Sequence, residues 1–413
     1  LAAAVGLRAH PQDDEPAGDS PSATARPAAI APAGLLYGRV TTADGDVHEG
    51  RLRFGGDEEA LWSNHFNGRK RQNPWADYAS GEQVPRERLS WEIFGVQIDL
   101  TARPQLDRPF MARFGDITRI EARGRDLRVT MKSGTVHHLD RYAADDYADG
   151  VRVWDDRLGI VDLGERRIRS IEFFTPGASA GGPAPLYGTV RTPHGEFTGL
   201  LQWNRESALA SDELNGRGPH GDVGLRFDAI RSIARGAGEG AVVTLLDGRK
   251  IVLIGPRTDE LAGRGIYVDD PRYGRVLVSW RAFERAEFSP APAVPAYHDF
   301  QPGRPLTGAV VTWSGRRLEG RLVYDLDESE TTETLDAPFE GVDYIIPFGL
   351  IDAVDRSEMG ARVILRGGEE VQLEESGDLS DGNGGMLVFP NRASSPEHVA
   401  WSDVQRVELD RAR

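Results

Sequence analysis

Two of the nine histidines sit where chemistry would be unexpected. His48 occupies a place that equivalent segments later in the chain fill with Phe197 and Leu318, and His137 one that they fill with Ile251 and Val371. Two imidazoles facing each other inside one β-module would bind a transition metal or titrate near neutral pH. A one-residue slip would instead put Val136 in the core slot and turn His137 outward. His137 and His138 are adjacent, so on a strand they lie on opposite faces and form no two-ligand site together. Acidic pairs come next: Asp155-Asp156 and Asp269-Asp270 fall in equivalent turns, and Asp325, Asp327, Glu328 and Glu330 run together. Asp378 with Asp381-Gly382-Asn383-Gly384 has the composition of a loop that bends around Ca²⁺, without the full ligand spacing of a calcium loop. Solvated turns are the expected reading of all these acids.

Motifs of established chemistry are not found. There is no Gly-x-Ser-x-Gly elbow, His-Glu-x-x-His helix, phosphate-binding Gly-x-x-x-x-Gly-Lys-Ser/Thr loop or strand-preceded Gly-x-Gly-x-x-Gly. Gly236-Ala237-Gly238-Glu239-Gly240 lies between two strands and reads as a turn. With no Cys, disulfides, Cys-ligated metal clusters and a thiol nucleophile are excluded. A net charge of -16 opposes binding to a phosphate backbone, so nucleic acid is not expected as a partner. No cofactor is expected either. A pair of carboxylates drawn from distant parts of the chain keeps a hydrolase open as an alternative.

The elements that must position these residues repeat three times. A Gly-x-Val-x-Thr run (Gly38-Val40-Thr42, Gly188-Val190-Thr192, Gly308-Val310-Thr312) leads through a turn glycine to a second alternating run. That run reads His48-Gly50-Leu52-Phe54, Phe197-Gly199-Leu201-Trp203 and Leu318-Gly320-Leu322-Tyr324, the period-2 signature of a half-buried strand. Further on come Phe114-Ile117-Ile120, Phe227-Ile230-Ile233 and Phe348-Ile351-Val354, and each copy ends on a near repeat of that element. Short strands joined by Gly turns, with no long period-3.6 stretch, predict an all-β chain. It has three tandem small β-barrel or sandwich modules, at 36–174, 186–288 and 306–410, each of seven or eight strands. The second half of each is expected to form another small barrel. The Pro/Gly-rich separators Thr175 to Pro185 and Ser289 to Pro305 predict semi-rigid spacers and a fixed row of modules. Residues 1–34, punctuated by Pro11, Pro16, Pro21, Pro27 and Pro32, predict a disordered Ala/Pro-rich tether.

The opening hairpin resembles the first strands of Sm-like and SH3-like small β-barrels, most fully at Gly320-Arg321-Leu322-Val323-Tyr324-Asp325. The resemblance covers about 20 residues per module and implies the barrel shape alone.

What one module has and the others lack is the natural place for specific chemistry. Gly68 to Phe114 spans 46 positions against 11 from Gly216 to Phe227, so module 1 carries an insert of 46 − 11 = 35 residues within 69–112. It holds Arg69, Lys70, Arg71, Trp75, Tyr78, Trp91, Phe94 and Phe110, the residue types that anchor interfaces. We read these eight as a partner-binding arm, against the alternative of a cover over the module's own core. No apolar run reaches the ~18 residues of a membrane-spanning helix, and the opening Leu1 to Leu7 reads as the end of an export or anchor segment. The expected protein is therefore a non-catalytic structural subunit, periplasmic or otherwise extracytoplasmic. It would dock onto the protein subunits of a membrane-associated complex, such as an electron-transfer or photosynthetic reaction-centre and antenna assembly. The alternative is a glycan-binding repeat protein stacking sugars on Trp62, Trp75, Trp91, Trp154 and Trp313, with Trp203, Trp280 and Trp401 buried.

Overall fold

The computed structural model describes residues 34–411 except 56–57, 63–64, 79–87, 94–95, 102–107, 156, 177–183, 238–239, 255–264 and 391–394, with backbone alone for 88–93 and 96–101. All of the proposed tether except Gly34 lies outside the described residues. Module 1 comprises β1 (Tyr37–Thr42), β2 (Val47–Phe54), β3 (His65–Arg69), β4 (Arg88–Ile93), β5 (Val96–Thr101), β6 (Pro109–Arg113), β7 (Ile117–Arg123), β8 (Asp126–Met131), β9 (Val136–Asp140), β10 (Val151–Asp155), β11 (Gly159–Leu163) and β12 (Ile168–Phe173). Module 2 has β13 (Tyr187–Thr192), β14 (Gly195–Trp203), β15 (Glu213–Gly218), β16 (Gly221–Arg226), β17 (Ile230–Arg235), β18 (Ala241–Leu245), β19 (Lys250–Leu253), β20 (Ile266–Asp270), β21 (Gly274–Val278) and β22 (Arg285–Phe288). Module 3 has β23 (Thr307–Thr312), β24 (Arg317–Val323), β25 (Thr334–Phe339), β26 (Val342–Pro347), β27 (Ile351–Ser357), β28 (Gly360–Leu365), β29 (Glu370–Glu374), β30 (Met386–Phe389), β31 (Glu397–Val399) and β32 (Val404–Leu409).

The chain is all-β, and its three large antiparallel sheets share one strand order. Module 1 runs β11-β10-β2-β1-β12-β7-β8-β9, module 2 β21-β20-β14-β13-β22-β17-β18-β19, and module 3 β31-β30-β24-β23-β32-β27-β28-β29. The first and last strands of each module lie side by side, as in β1 against β12, so the two halves belong to one sheet. This corrects the expectation of a second small barrel. Buried residues from all eight main strands of module 1, among them Leu163, Val153, Leu52, Val40, Ile171, Ile120, Val129 and Leu139, join a single core. A sheet can do that only by curling around them, which makes the module barrel-like. A two-stranded hairpin covers each core: β3–β6, β15–β16 and β25–β26. One aromatic position organises each interior. Phe54 meets Phe114 at 4.9 Å, Trp203 meets Phe227 at 6.0 Å, and Tyr324 meets Phe348 at 5.1 Å between ring centres.

The repeated glycines mark close strand crossings. A β-carbon at Gly50 would stand 1.9 Å from Trp154 O, at Gly199 1.8 Å from Asp269 O, and at Gly320 2.0 Å from Phe389 O. Only a residue without Cβ lets these neighbouring strands approach so closely.

The modules are not in a row, because each touches both others. β26 of module 3 pairs with β21 of module 2, extending that sheet to ten strands. Leu200, Ala208 and Leu209 of module 2 pack into the core of module 1. The second separator is bolted to module 1: Tyr297 donates its hydroxyl to Ile117 O at 2.8 Å, and Lys132 Nζ donates to Tyr297 O and to Phe300 O. Its prolines thus serve an ordered strap.

Candidate interaction site at the module 1 insert

The strand that leads to each central aromatic ends in a tight turn entered at positive φ. Module 1 begins that turn with Gly55, whereas module 2 uses Asn204 and Arg205, and module 3 uses Asp325 (φ 49) and Leu326 (φ 55). Left-handed backbone costs a non-glycine residue about 1–2 kcal/mol, so Asp325 and Leu326 hold it because their surroundings fix them. The module 1 insert supplies those surroundings. β3 and β6 pair with Gly68 opposite Phe110, so the two ends of the insert leave side by side, aimed at this turn.

At one end Lys70, 6% exposed, places Nζ 2.8 Å from Asp327 Oδ1 and 3.5 Å from Glu333 Oε1. At the other, Arg108 donates from Nη1 to Asp325 Oδ2 at 3.1 Å and from Nη2 to Asp325 O at 3.2 Å. Asn73 Nδ2 donates to Leu326 O at 2.9 Å. Trp75 lies edge-to-face on Phe389 at 6.0 Å with the Arg321 guanidinium 4.9 Å from its ring, and Tyr78 meets the same Phe389 at 5.9 Å. Gly384 N closes the turn from the far side by donating to Asp325 Oδ1.

These contacts surround a cavity of about 480 Å³ whose lining includes six carboxylates (Asp325, Asp327, Glu328, Glu333, Asp336 and Asp378) and the cations Arg69, Lys70 and Arg108. Negative charge is in excess, and burial makes it costly. Burial pushes Asp325 up to about 6, with Arg108 opposing, and Asp336 up to about 7. Glu328 and Asp378 are driven well above the carboxylate range by burial and then by neighbouring acids, and Glu333 is raised by burial against the pull of Lys70. Burial alone would lower Lys70, but Asp327, Glu333 and Glu328 outweigh it and hold the ammonium charged. Glu328 Oε2 and Asp336 Oδ1 are buried with no hydrogen-bond partner, as suits carboxyls that keep a proton. The cluster is thus a clamp that ties module 1 to module 3 by two cations set against buried carboxyls.

Of the eight predicted arm residues, Lys70, Trp75 and Tyr78 are seated on module 3 of the same chain, and Arg69 lines the shared cavity. Arg71 stays with module 1, its backbone N–H donating to His138 O at 2.7 Å. Phe110, 3% exposed, belongs to the module 1 core. Trp91 lies on β4, described by its backbone, and Phe94 lies outside the described residues. Arg108 was not singled out from sequence, although the basic ends of the insert and the acidic run 325–330 were both legible there.

The other candidates resolve as structure. His48 and His137 stand on β2 and β9, with four strands between them, and keep separate company. His48 lies 3.4 Å from Asp155, and His137 rests 4.8 Å from the Phe110 ring, where burial lowers it to about 3. The acidic turns are not the solvated features expected from sequence. Asp155 is 5% exposed and accepts from the backbone of Glu49, Arg157 and Leu158, and Asp270, 1% exposed, accepts from Thr198 N at 2.7 Å. They bind strand backbone where the glycine crossings leave it unpaired. Asp378 accepts from Asp336 N at 2.7 Å, while Asn383 donates to Asp378 O. Among the described residues no group of three or more His, Cys, Asp or Glu is placed to hold a metal ion. Of the tryptophans read as sugar platforms, Trp62 is buried, Trp75 is clamped, Trp154 lies under Arg51 at 3.6 Å and Trp313 is exposed. Comparison with family models, curated proteins and solved structures gave no match, so the functional reading rests on these residues.

Proposed function

We propose that the chain is a non-catalytic structural subunit, exported and membrane-extrinsic, which docks as one body onto a larger membrane protein assembly. An electron-transfer complex such as a photosynthetic reaction centre with its antenna is one such setting. The curled antiparallel modules keep the resemblance to Sm-like and SH3-like small barrels as a shape.

The observation that carries this reading is the division of labour within the insert. Its two ends are consumed in fastening module 1 to module 3, while its middle, β4–β5, forms a two-stranded sheet that pairs with nothing else among the described residues. In register, Leu89, Trp91 and Ile93 stand opposite Leu100, Ile98 and Val96. The alternation puts these six apolar residues on one face, and Arg88, Ser90, Glu92, Gln97, Asp99 and Thr101 on the other. A lone amphipathic hairpin is marginal in water, and on this reading the assembly covers its apolar residues. The test is co-purification from native membranes in mild detergent, comparing the intact chain with a Trp91→Ser/Ile98→Ser variant whose clamp is untouched. The intact chain should recover one membrane complex in fixed stoichiometry and the variant should lose it. Recovery of no complex by the intact chain would sink the reading.

A further inference from the structure

Three strands hold the same place at the end of a main sheet, β11, β21 and β31, and three hold the same place in a cover hairpin, β6, β16 and β26. Among the described residues one acceptor and one donor of this kind are joined. β26 runs antiparallel along β21, with Arg275 opposite Ile345, Val276 opposite Tyr344, Leu277 opposite Asp343 and Val278 opposite Val342. Among the described residues β11 pairs with β10 alone, and β16 with β15 alone. Both have exposed edges. Around β11 stand Leu158, 64% exposed, Ile160, 62%, and Val47, 41%, while Gly221, Asp222, Gly224 and Arg226 of β16 are all exposed. An unpaired strand edge is a row of free N–H and C=O groups ready for another strand.

We propose that β16 of one molecule adds to β11 of a second copy, in the register that β26 already adopts on β21, so that the chain self-associates by strand addition. The seam is one the fold makes once within the molecule, which argues for a second copy as the occupant. Aligning Gly159 with Gly274 and Phe227 with Phe348 carries the register over. Ile160 then faces Gly224, Val161 faces Val223, and Leu163 faces Gly221. Gly224 leaves room for the exposed Ile160 of β11, while Leu163 stays buried in its own core, and the apolar edge around Ile160 is covered. Asp162 meets Asp222, a like pair in which each acid already has an arginine: Arg152 lies 2.7 Å from Asp162, and Arg217 stands opposite Asp222 in the hairpin. That pair makes the seam weaker at low salt than in high salt. The inference stands apart from the membrane-assembly reading, since it concerns other strands and needs no partner protein.

The absence of Cys makes the test clean. Cα atoms of antiparallel partners lie about 4.5–5.5 Å apart, within disulfide range. Val161→Cys and Val223→Cys single variants, mixed under mild oxidation, should form a mixed disulfide dimer. It should form about tenfold faster than with Val223→Cys and Met359→Cys, whose thiol would sit on an exposed turn outside the seam. Sedimentation of the unmodified chain should show concentration-dependent association that Ile160→Lys abolishes. Linking no faster than the Met359→Cys control overturns the proposal, and so does an unmodified chain that stays monomeric at every concentration.

Discussion

Replacing Lys70 with Met keeps the length of the stem and removes the ammonium. Asp327 and Glu333, with side chains 7% and 16% exposed, then face each other across the clamp without their cation. Breaking a buried ion pair in this way costs about 3–5 kcal/mol. Proton uptake sets a ceiling, because placing a proton on a carboxylate of ordinary pKa near 4 costs about 1.4 kcal/mol per pH unit. The penalty should therefore be about 4 kcal/mol at pH 7 and about 1.5 kcal/mol at pH 5, the proton taking over from the ammonium. Urea unfolding of both chains at the two pH values reads this, and hydrogen exchange at residues 70–78 shows whether the loss is local to the clamp. Adding Asp327→Asn should restore much of the stability. A penalty below about 1 kcal/mol at pH 7, the size of a surface pair, or one equal at both pH values, would refute the reasoning.

Three further outcomes follow from the same geometry. Asp325 and Asp336 are raised from 3.8 to about 6 and about 7, so the folded chain keeps protons that the unfolded chain releases near pH 4. Their stabilising share is full below about pH 4 and is lost as pH rises through 6 to 7. Surface carboxylates of the opposite sign add their own slope, so the reading is the difference between urea midpoints of the wild type and Asp325→Asn from pH 4.5 to 8. Gly199→Ala, whose new carbon would meet Asp269 O at 1.8 Å, should lower stability by about 3 kcal/mol or more, whereas Gly164→Ala, with nothing within 4 Å, should stay within about 1 kcal/mol. A double-mutant cycle of Trp75→Ala and Arg321→Ala should return a coupling of about 0.5–2 kcal/mol, and a coupling of zero would remove the cation–π contact from the clamp.

Strands were legible because burial leaves a local trace. The set His48-Gly50-Leu52-Phe54 is the inward face of β2 as the alternation requires, and the repeated glycines announced a backbone constraint whose cause, a carbonyl of the neighbouring strand, only the fold displays. Pairing was not legible, because β1 must find β12 more than a hundred residues away, and equivalent strands in sister modules offer similar edges. That ambiguity is why β26 was not assigned to β21, while the row of modules was expected from the prolines of the separators, whose composition does not show that the second one docks on module 1. The insert shows the same limit. Its aromatic and basic residues marked an interface, yet composition does not say whether the other half lies in another protein or, as for Lys70 and Trp75, in module 3 of the same chain. Asp155 and Asp270 looked like solvated turn acids since their donors, Glu49 N and Thr198 N, sit on strands distant in sequence.

The claim on which the rest depends is that the insert and the β21–β26 seam make one body of three modules. Small-angle scattering from the chain beginning at Gly34 tests it most directly. A single body of that length should give a radius of gyration of about 21 Å and one maximum in the pair-distance distribution, with the value rising in Lys70→Met at pH 7. A distinctly larger radius in the unmodified chain, with separate maxima from modules strung in a row, would contradict it.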